Sequence, residues 1–177
     1  MKRSTLYILL CCIFAAVVAG CNSSGCIDNK SALPLAGFYS YETLQPISLS
    51  SVSVGAKGAP NDSLLLSNSS ASSLYMPFNI GENITKFFIR YNQSDSADEE
   101  SVPADTITFV YNRVPYFASE ECGAMYSYEV TEVIFTRLMI DSVALTYKVI
   151  TNADRESIQI FFRTKTADDD DDDTSHE

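Results

Sequence analysis

The chain has 177 residues, with 12 Lys+Arg against 23 Asp+Glu, one histidine and no tryptophan, for a formal net charge of −11. Such acidity repels phosphate backbones and anionic head groups, so nucleic acid is excluded as a ligand. The lone histidine, His176, sits in an acidic terminus, which leaves no material in a folded domain for Ser-His or Cys-His catalysis or a histidine-based zinc site.

Met1-Lys2-Arg3 is a short cationic start, followed by an apolar run from Leu6 to Val18. That run is about 13 residues long, where a membrane span needs roughly 20. Val18-Ala19-Gly20-Cys21 comes next and resembles the lipobox at which a bacterial lipoprotein signal is cut and its cysteine acylated. Residues 1–20 are therefore expected to be a lipoprotein signal peptide, and Cys21 the lipidation site. Loss of Lys2 and Arg3 with the signal turns the net charge of −11 into −13 for the remaining 157 residues. Several acyl chains on one cysteine hold a protein at a membrane essentially permanently.

The five cysteines divide by position. Cys11 and Cys12 leave with the signal, Cys21 takes the lipid, and Cys26 and Cys122 remain. Two cysteines left over outside the cytoplasm are expected to form a disulfide. Only five peptide steps of at most about 3.6 Å separate Cys21 from Cys26, so the bridge would lie within roughly 18 Å of the anchor.

Residues 21–34 read as a lipidated tether rich in Ser and Asn, ending at Pro34. From residue 35 to 166 the hydrophobic pattern has period two. Candidate strands are Gly37–Leu44, Ile47–Val54, Ser63–Ser67, Leu74–Phe78, Ile84–Tyr91, the run around Ile107, Phe109 and Tyr111, Met125–Arg137, Val143–Ile150 and Ile158–Phe162. The phase slips between Leu49 and Val52, which predicts a bulge near Ser50-Ser51. Asn61-Asp62, Asn79-Ile80-Gly81 and Asn152-Ala153-Asp154 read as short hairpin connections, the last pairing the final two strands. Gln93 to Pro103 reads as an exposed acidic loop. Eight or nine short strands predict an all-β domain, an antiparallel β-sandwich, with a small open β-barrel as the alternative. Residues 167–177, with the run Asp168 to Asp173, read as a disordered acidic tail.

The chemistry-bearing motifs are sparse. Glu129 and Glu132 are the nearest carboxylate pair, but odd spacing on a regular strand sends them to opposite faces. Asp168, Asp170 and Asp172 imitate the start of a calcium loop, yet Asp173 stands where glycine is required and the chain ends before the twelfth position. No metal site, no cofactor and no enzymatic activity are expected. Tyr39/Tyr41 and Tyr126/Tyr128 are spaced to share a sheet face, either as core packing or as an exposed binding face. Asp62-Ser63, Asp95-Ser96, Asp105-Thr106 and Asp141-Ser142, each followed by a small or aliphatic residue, fit an O-glycosylation acceptor at Ser63, Ser96, Thr106 and Ser142. The competing reading is that Asp-Ser and Asp-Thr pairs begin strands.

Cys26, Gly37-Phe38-Tyr39, Cys122-Gly123 and Ile158-Gln159-Ile160-Phe161-Phe162 together resemble an uncharacterised family of small Bacteroidota lipoproteins, a domain of unknown function, over residues 26–164. The resemblance implies a lipid-anchored all-β domain and carries no activity or site. The Asp–Ser/Thr pattern resembles the acceptor that these bacteria glycosylate on exported proteins. Asn22-Ser23-Ser24-Gly25 lacks the acidic cluster that resembles their surface-export signal, which favours a periplasm-facing position under the outer membrane. The expected role is a non-catalytic envelope protein that binds or scaffolds another envelope component, an outer-membrane protein being the expected partner. A ligand- or glycan-binding or adhesive, fimbrial-like module is the alternative.

Overall fold

The computed structural model describes residues 32–92 and 102–164. Among them are ten strands: β1 (Leu35–Ser40), β2 (Leu49–Ala56), β3 (Leu64–Ala71), β4 (Ser73–Tyr75), β5 (Ile84–Tyr91), β6 (Ala104–Ser119), β7 (Gly123–Phe135), β8 (Ile140–Leu145), β9 (Val149–Ile150) and β10 (Glu156–Phe162). They form a four-stranded sheet of order β4-β1-β10-β8 and a six-stranded sheet of order β3-β2-β5-β6-β7-β9. The two sheets close on one core as a β-sandwich.

Period-two burial carries the architecture. Thr85, Phe87 and Ile89 of β5, Asp105, Ile107, Phe109 and Tyr111 of β6, and Ile158, Ile160 and Phe162 of β10 are buried, and their neighbours within the strands, Ser157 excepted, are not. Aromatic rings dominate the centre. Phe78 stacks on Tyr111 at 4.5 Å and meets Tyr128 edge-on at 5.4 Å, while Phe38 and Phe162 meet edge-on across the smaller sheet.

The expected bulge is present. Pairing of β2 with β3 shifts between Leu49 and Val52, and Ser51 takes a left-handed φ of 53°. Four expectations need correction. The sandwich is not wholly antiparallel: β1 and β10 pair in parallel from Leu35↔Glu156 to Ser40↔Phe162, because the smaller sheet is two antiparallel pairs, β4–β1 and β10–β8, laid side by side with β1 and β10 running the same way. The run Val143–Ile150 is two strands in different sheets, β8 against β10 and β9 against β7. The final pair β8–β10 is therefore correct, but Asn152 closes no tight hairpin between them. Asn79-Ile80-Gly81 likewise lies on a crossing between sheets, from β4 to β5, with Met76 and Phe78 buried on the way.

The β6–β7 hairpin is longer than the core beneath it. Alternating burial stops at Tyr111 and Tyr128, and Val114, Phe117 and Tyr126 beyond them are exposed. This overhang defines one end of the molecule. The starts of β1 and β10 lie at the same end: Leu35 pairs with Tyr75 and Glu156, Tyr75 donates to Asp154, and Asn152 is hydrogen-bonded to Tyr116 of the hairpin.

Candidate functional site

At the end opposite the overhang, the sandwich opens into a cleft of about 680 Å³. Its walls come from five places: Ile47–Val52 before and within β2, Tyr91-Asn92 at the end of β5, Pro103 before β6, Leu138-Met139 between β7 and β8, and Phe162–Thr164 at the end of β10. The β2 bulge shapes it, since the left-handed Ser51 turns its carbonyl to accept the Asn92 N–H at 2.8 Å. The floor is apolar, with Val52 and Phe162 buried and Leu49 and Tyr91 partly so. Leu138 and Met139 stand on the rim, 51% and 39% exposed. Ser48, Ser50, Asn92 and Arg163 supply a polar border. An apolar cleft of this size with a few polar groups at its mouth has the form of a binding site.

A buried carboxylate fixes the rim. Asp105 is wholly inaccessible and accepts five hydrogen bonds: from Tyr91 Oη at 2.8 Å, Thr136 Oγ1 at 2.6 Å, and the backbone N–H groups of Leu138, Met139 and Ile140 at 2.8, 2.7 and 3.0 Å. Burial pushes its carboxyl up, but the Thr136 hydroxyl and the three amides outweigh burial and hold it below the ordinary aspartate value. Burial, and after it the Asp105 charge, push the Tyr91 phenol the other way, upward, so Tyr91 stays a neutral donor. Arg163 braces the same turn, donating to the Arg137 carbonyl at 3.1 Å and pairing with Asp141 at 3.3 Å. A second clamp sits beside it on the surface. Glu42 accepts from the hydroxyl and N–H of Thr164, which hold its carboxyl down to about 2.

The residues singled out by sequence scatter over the fold. Tyr39 donates to Glu156 at 2.8 Å and lies against Phe161, while Tyr41 is exposed beyond β1. Tyr126 is exposed on the overhang, but Tyr128 is buried against Phe78 and Tyr111, so this tyrosine packs the core and joins no exposed face. The structure does not gather the four into one patch. Glu129 and Glu132 are a further correction. Glu132 pairs with Val110 and Val130 with Tyr111, so Thr131 is an extra residue that resets the phase. Both glutamates thus lie on the outer, exposed face of β7.

Of the Asp–Ser/Thr pairs, Asp105-Thr106 is not an open acceptor, because Asp105 is buried and fully engaged. It begins β6, as Asp141-Ser142 begins β8, where Ser142 is half-buried. Ser63 is exposed just before β3, its N–H closing a turn onto Pro60. Ser96 lies outside the described residues, as do Cys21, Cys26 and the acidic tail. Cys122 sits half-buried in the β6–β7 turn, where its sulfur accepts from Asn152 Nδ2 at 3.8 Å. Among the described residues no helix is long and apolar enough to cross a membrane, and no three metal-ligating side chains gather.

No curated protein sequence and no solved structure matches the chain. A family model, the family of unknown function DUF6452, matches residues 51–162. That span holds the cleft's central strands, Asp105 with all its partners, Cys122-Gly123 and the closing strand. It leaves out Cys26 and Gly37-Phe38-Tyr39, two of the marks on which the resemblance to a lipoprotein family rests. Because the match covers more than half of the chain, this protein belongs to the DUF6452 family of unknown function.

Proposed function

We propose that the chain is a non-catalytic, lipid-anchored protein of the cell envelope that binds another envelope component in the cleft between β2, β5 and the β7–β8 turn. One observation carries the reading: an open apolar cleft whose rim is held in place by a fully engaged buried carboxylate. A rim with Leu138 and Met139 left exposed while their backbones are fixed is a preorganised surface, which lowers the entropic cost of binding. The anchor rests on Val18-Ala19-Gly20-Cys21, in a Bacteroidota-type lipoprotein facing the periplasm from the outer membrane. Cys26 and Cys122 form the domain's disulfide in this reading. Closing a loop of nearly 100 residues is worth on the order of 4–5 kcal/mol in the chain-entropy model.

Two measurements test it. Cys21→Ala should move the protein from the membrane to the soluble fraction, and quantitative membrane retention would sink the anchor. A photo-cross-linker at Leu138, in cells, should capture one dominant outer-membrane protein that a cross-linker on outward-facing Thr108 does not. Adducts with no such preference would remove the cleft from the reading, and a small-molecule adduct alone would turn it into a ligand-binding module.

A further inference from the structure

We propose that the overhanging end of the β6–β7 hairpin is a membrane-docking tip, seated on the zwitterionic lipid surface that holds the anchor; the inference rests on the lipid-anchored reading above. Pairing in the overhang is regular from Arg113↔Tyr128 to Phe117↔Ala124. Pro115, Phe117, Ala124 and Tyr126 therefore continue the face that carries Tyr111 and Tyr128 inside the core. Inside the core that face is covered by Phe78. On the overhang it is bare, with Phe117 68% and Tyr126 44% exposed, and Ile80 of the neighbouring loop is 67% exposed. Arg113 ties that loop to the hairpin, donating to the Ile80 carbonyl and to Asn83 Oδ1. The apolar side chains of loop and hairpin are thus presented from one end of the molecule.

The chain outside the described residues says what covers this end. Ala32, the first described residue, is buried, and β1 starts beside Tyr75 and Glu156 at the overhang's end of the sandwich. Eleven peptide steps join Cys21 to Ala32, at most roughly 40 Å of chain. β6 alone, at sixteen residues, runs roughly 50 Å. A domain on so short a lead meets the bilayer with the end from which the lead emerges. An aromatic ring with a polar edge, such as Tyr126, suits the head-group layer, and Phe117 the boundary below it. Glu120 and Glu121 in the hairpin turn are exposed, and they oppose an anionic surface. The fitting surface is therefore one of zwitterionic head groups.

The sequence contains no tryptophan, so one substitution makes a silent background into a depth gauge. Full-length lipidated protein carrying Phe117→Trp is reconstituted into phosphatidylethanolamine–phosphatidylcholine vesicles, with and without acyl-brominated lipid. A ring about 5–10 Å into the head-group boundary should lose about half its emission to the brominated lipid. Protein carrying Leu138→Trp, at the cleft end, should lose none. Tyr126→Trp repeats the measurement should the first variant melt below the parent. Absence of quenching at both hairpin positions in vesicle-bound protein overturns the docking tip, as does equal quenching at Leu138→Trp. Failure of the protein to float with vesicles at all overturns the anchor instead, and the two failures are read from separate fractions of one gradient.

Discussion

Asp105→Ala is expected to destabilise the domain by about 3–5 kcal/mol, the cost of stripping a buried, engaged charge from its partners. Two hydroxyls and three amides converge on this carboxylate. Alanine offers none of them an acceptor, and the site is too enclosed for each to find water. A loss of this size should lower the melting temperature by more than roughly 10 °C in a domain of this length. Asp105→Asn should cost nearly as much, since its NH₂ would face other donors. Asp141→Ala, which removes only the surface pair with Arg163, should cost under about 1 kcal/mol. Urea titration of the three variants checks the order, and equal effects for Asp105→Ala and Asp141→Ala would refute the assignment.

The same carboxylate sets an acid limit. Its folded value lies below the ordinary aspartate value, so the native state favours the ionised form. That stabilisation is complete above the ordinary aspartate range and is lost as pH falls through the lower, folded value. Thermal stability should therefore hold from neutral pH to about 4 and fall steeply only below it. In Asp105→Asn the steep part of the decline should be shallower, because a group that no longer titrates cannot contribute to it.

The second large effect is expected at Phe78. Phe78→Ala should cost about 3–5 kcal/mol, as for other buried phenylalanines, toward the upper end because three aromatic partners lose a ring at once. Phe78 stands on the crossing from β4 to β5 and packs on Phe109, Tyr111 and Tyr128. Tyr111 holds that crossing a second way, through hydrogen bonds with Thr85 Oγ1 and the Asn79 carbonyl. Tyr111→Phe, which keeps the ring, should cost only about 1–2 kcal/mol. Hydrogen exchange separates the two: Phe78→Ala should release the Asn79 amide, now held by Thr85, well before global unfolding. A melting point for Phe78→Ala within a degree or two of the parent would refute it.

The strands were legible where one face is buried and the chain stays in one sheet. Ile84–Tyr91 matches to the residue, and the slip at Leu49–Val52 located a real bulge, because period two exposes any phase error. The same rule misled wherever the chain changed sheets. Leu145 and Val149 belong to different sheets, yet the alternation Val143, Leu145, Tyr147, Val149 runs through without a break. Thr131 hid its bulge because it adds no hydrophobic residue to reveal the shift, and so the faces of Glu129 and Glu132 came out wrong. Asp105 gave no signal of its role: its partners at 136–140 lie more than thirty residues away, and a strand-opening Asp-Thr looks like any other. Turn residues revealed that the chain reverses at Asn79 and Asn152, not which sheet it enters next.

The parallel pairing of β1 with β10 also has a mechanical side. Both strands run from the overhang toward the cleft, so the two ends of the folded chain depart in opposite directions. Tension between those ends pulls β1 one way and β10 the other, along their common ladder. All the paired positions from Leu35 to Ser40 are then strained together, and none can open until the whole ladder slides. An antiparallel terminal pair would instead be peeled apart one bond at a time. A pull between the two ends of the folded chain is thereby carried in shear, through the strands in the middle of the smaller sheet.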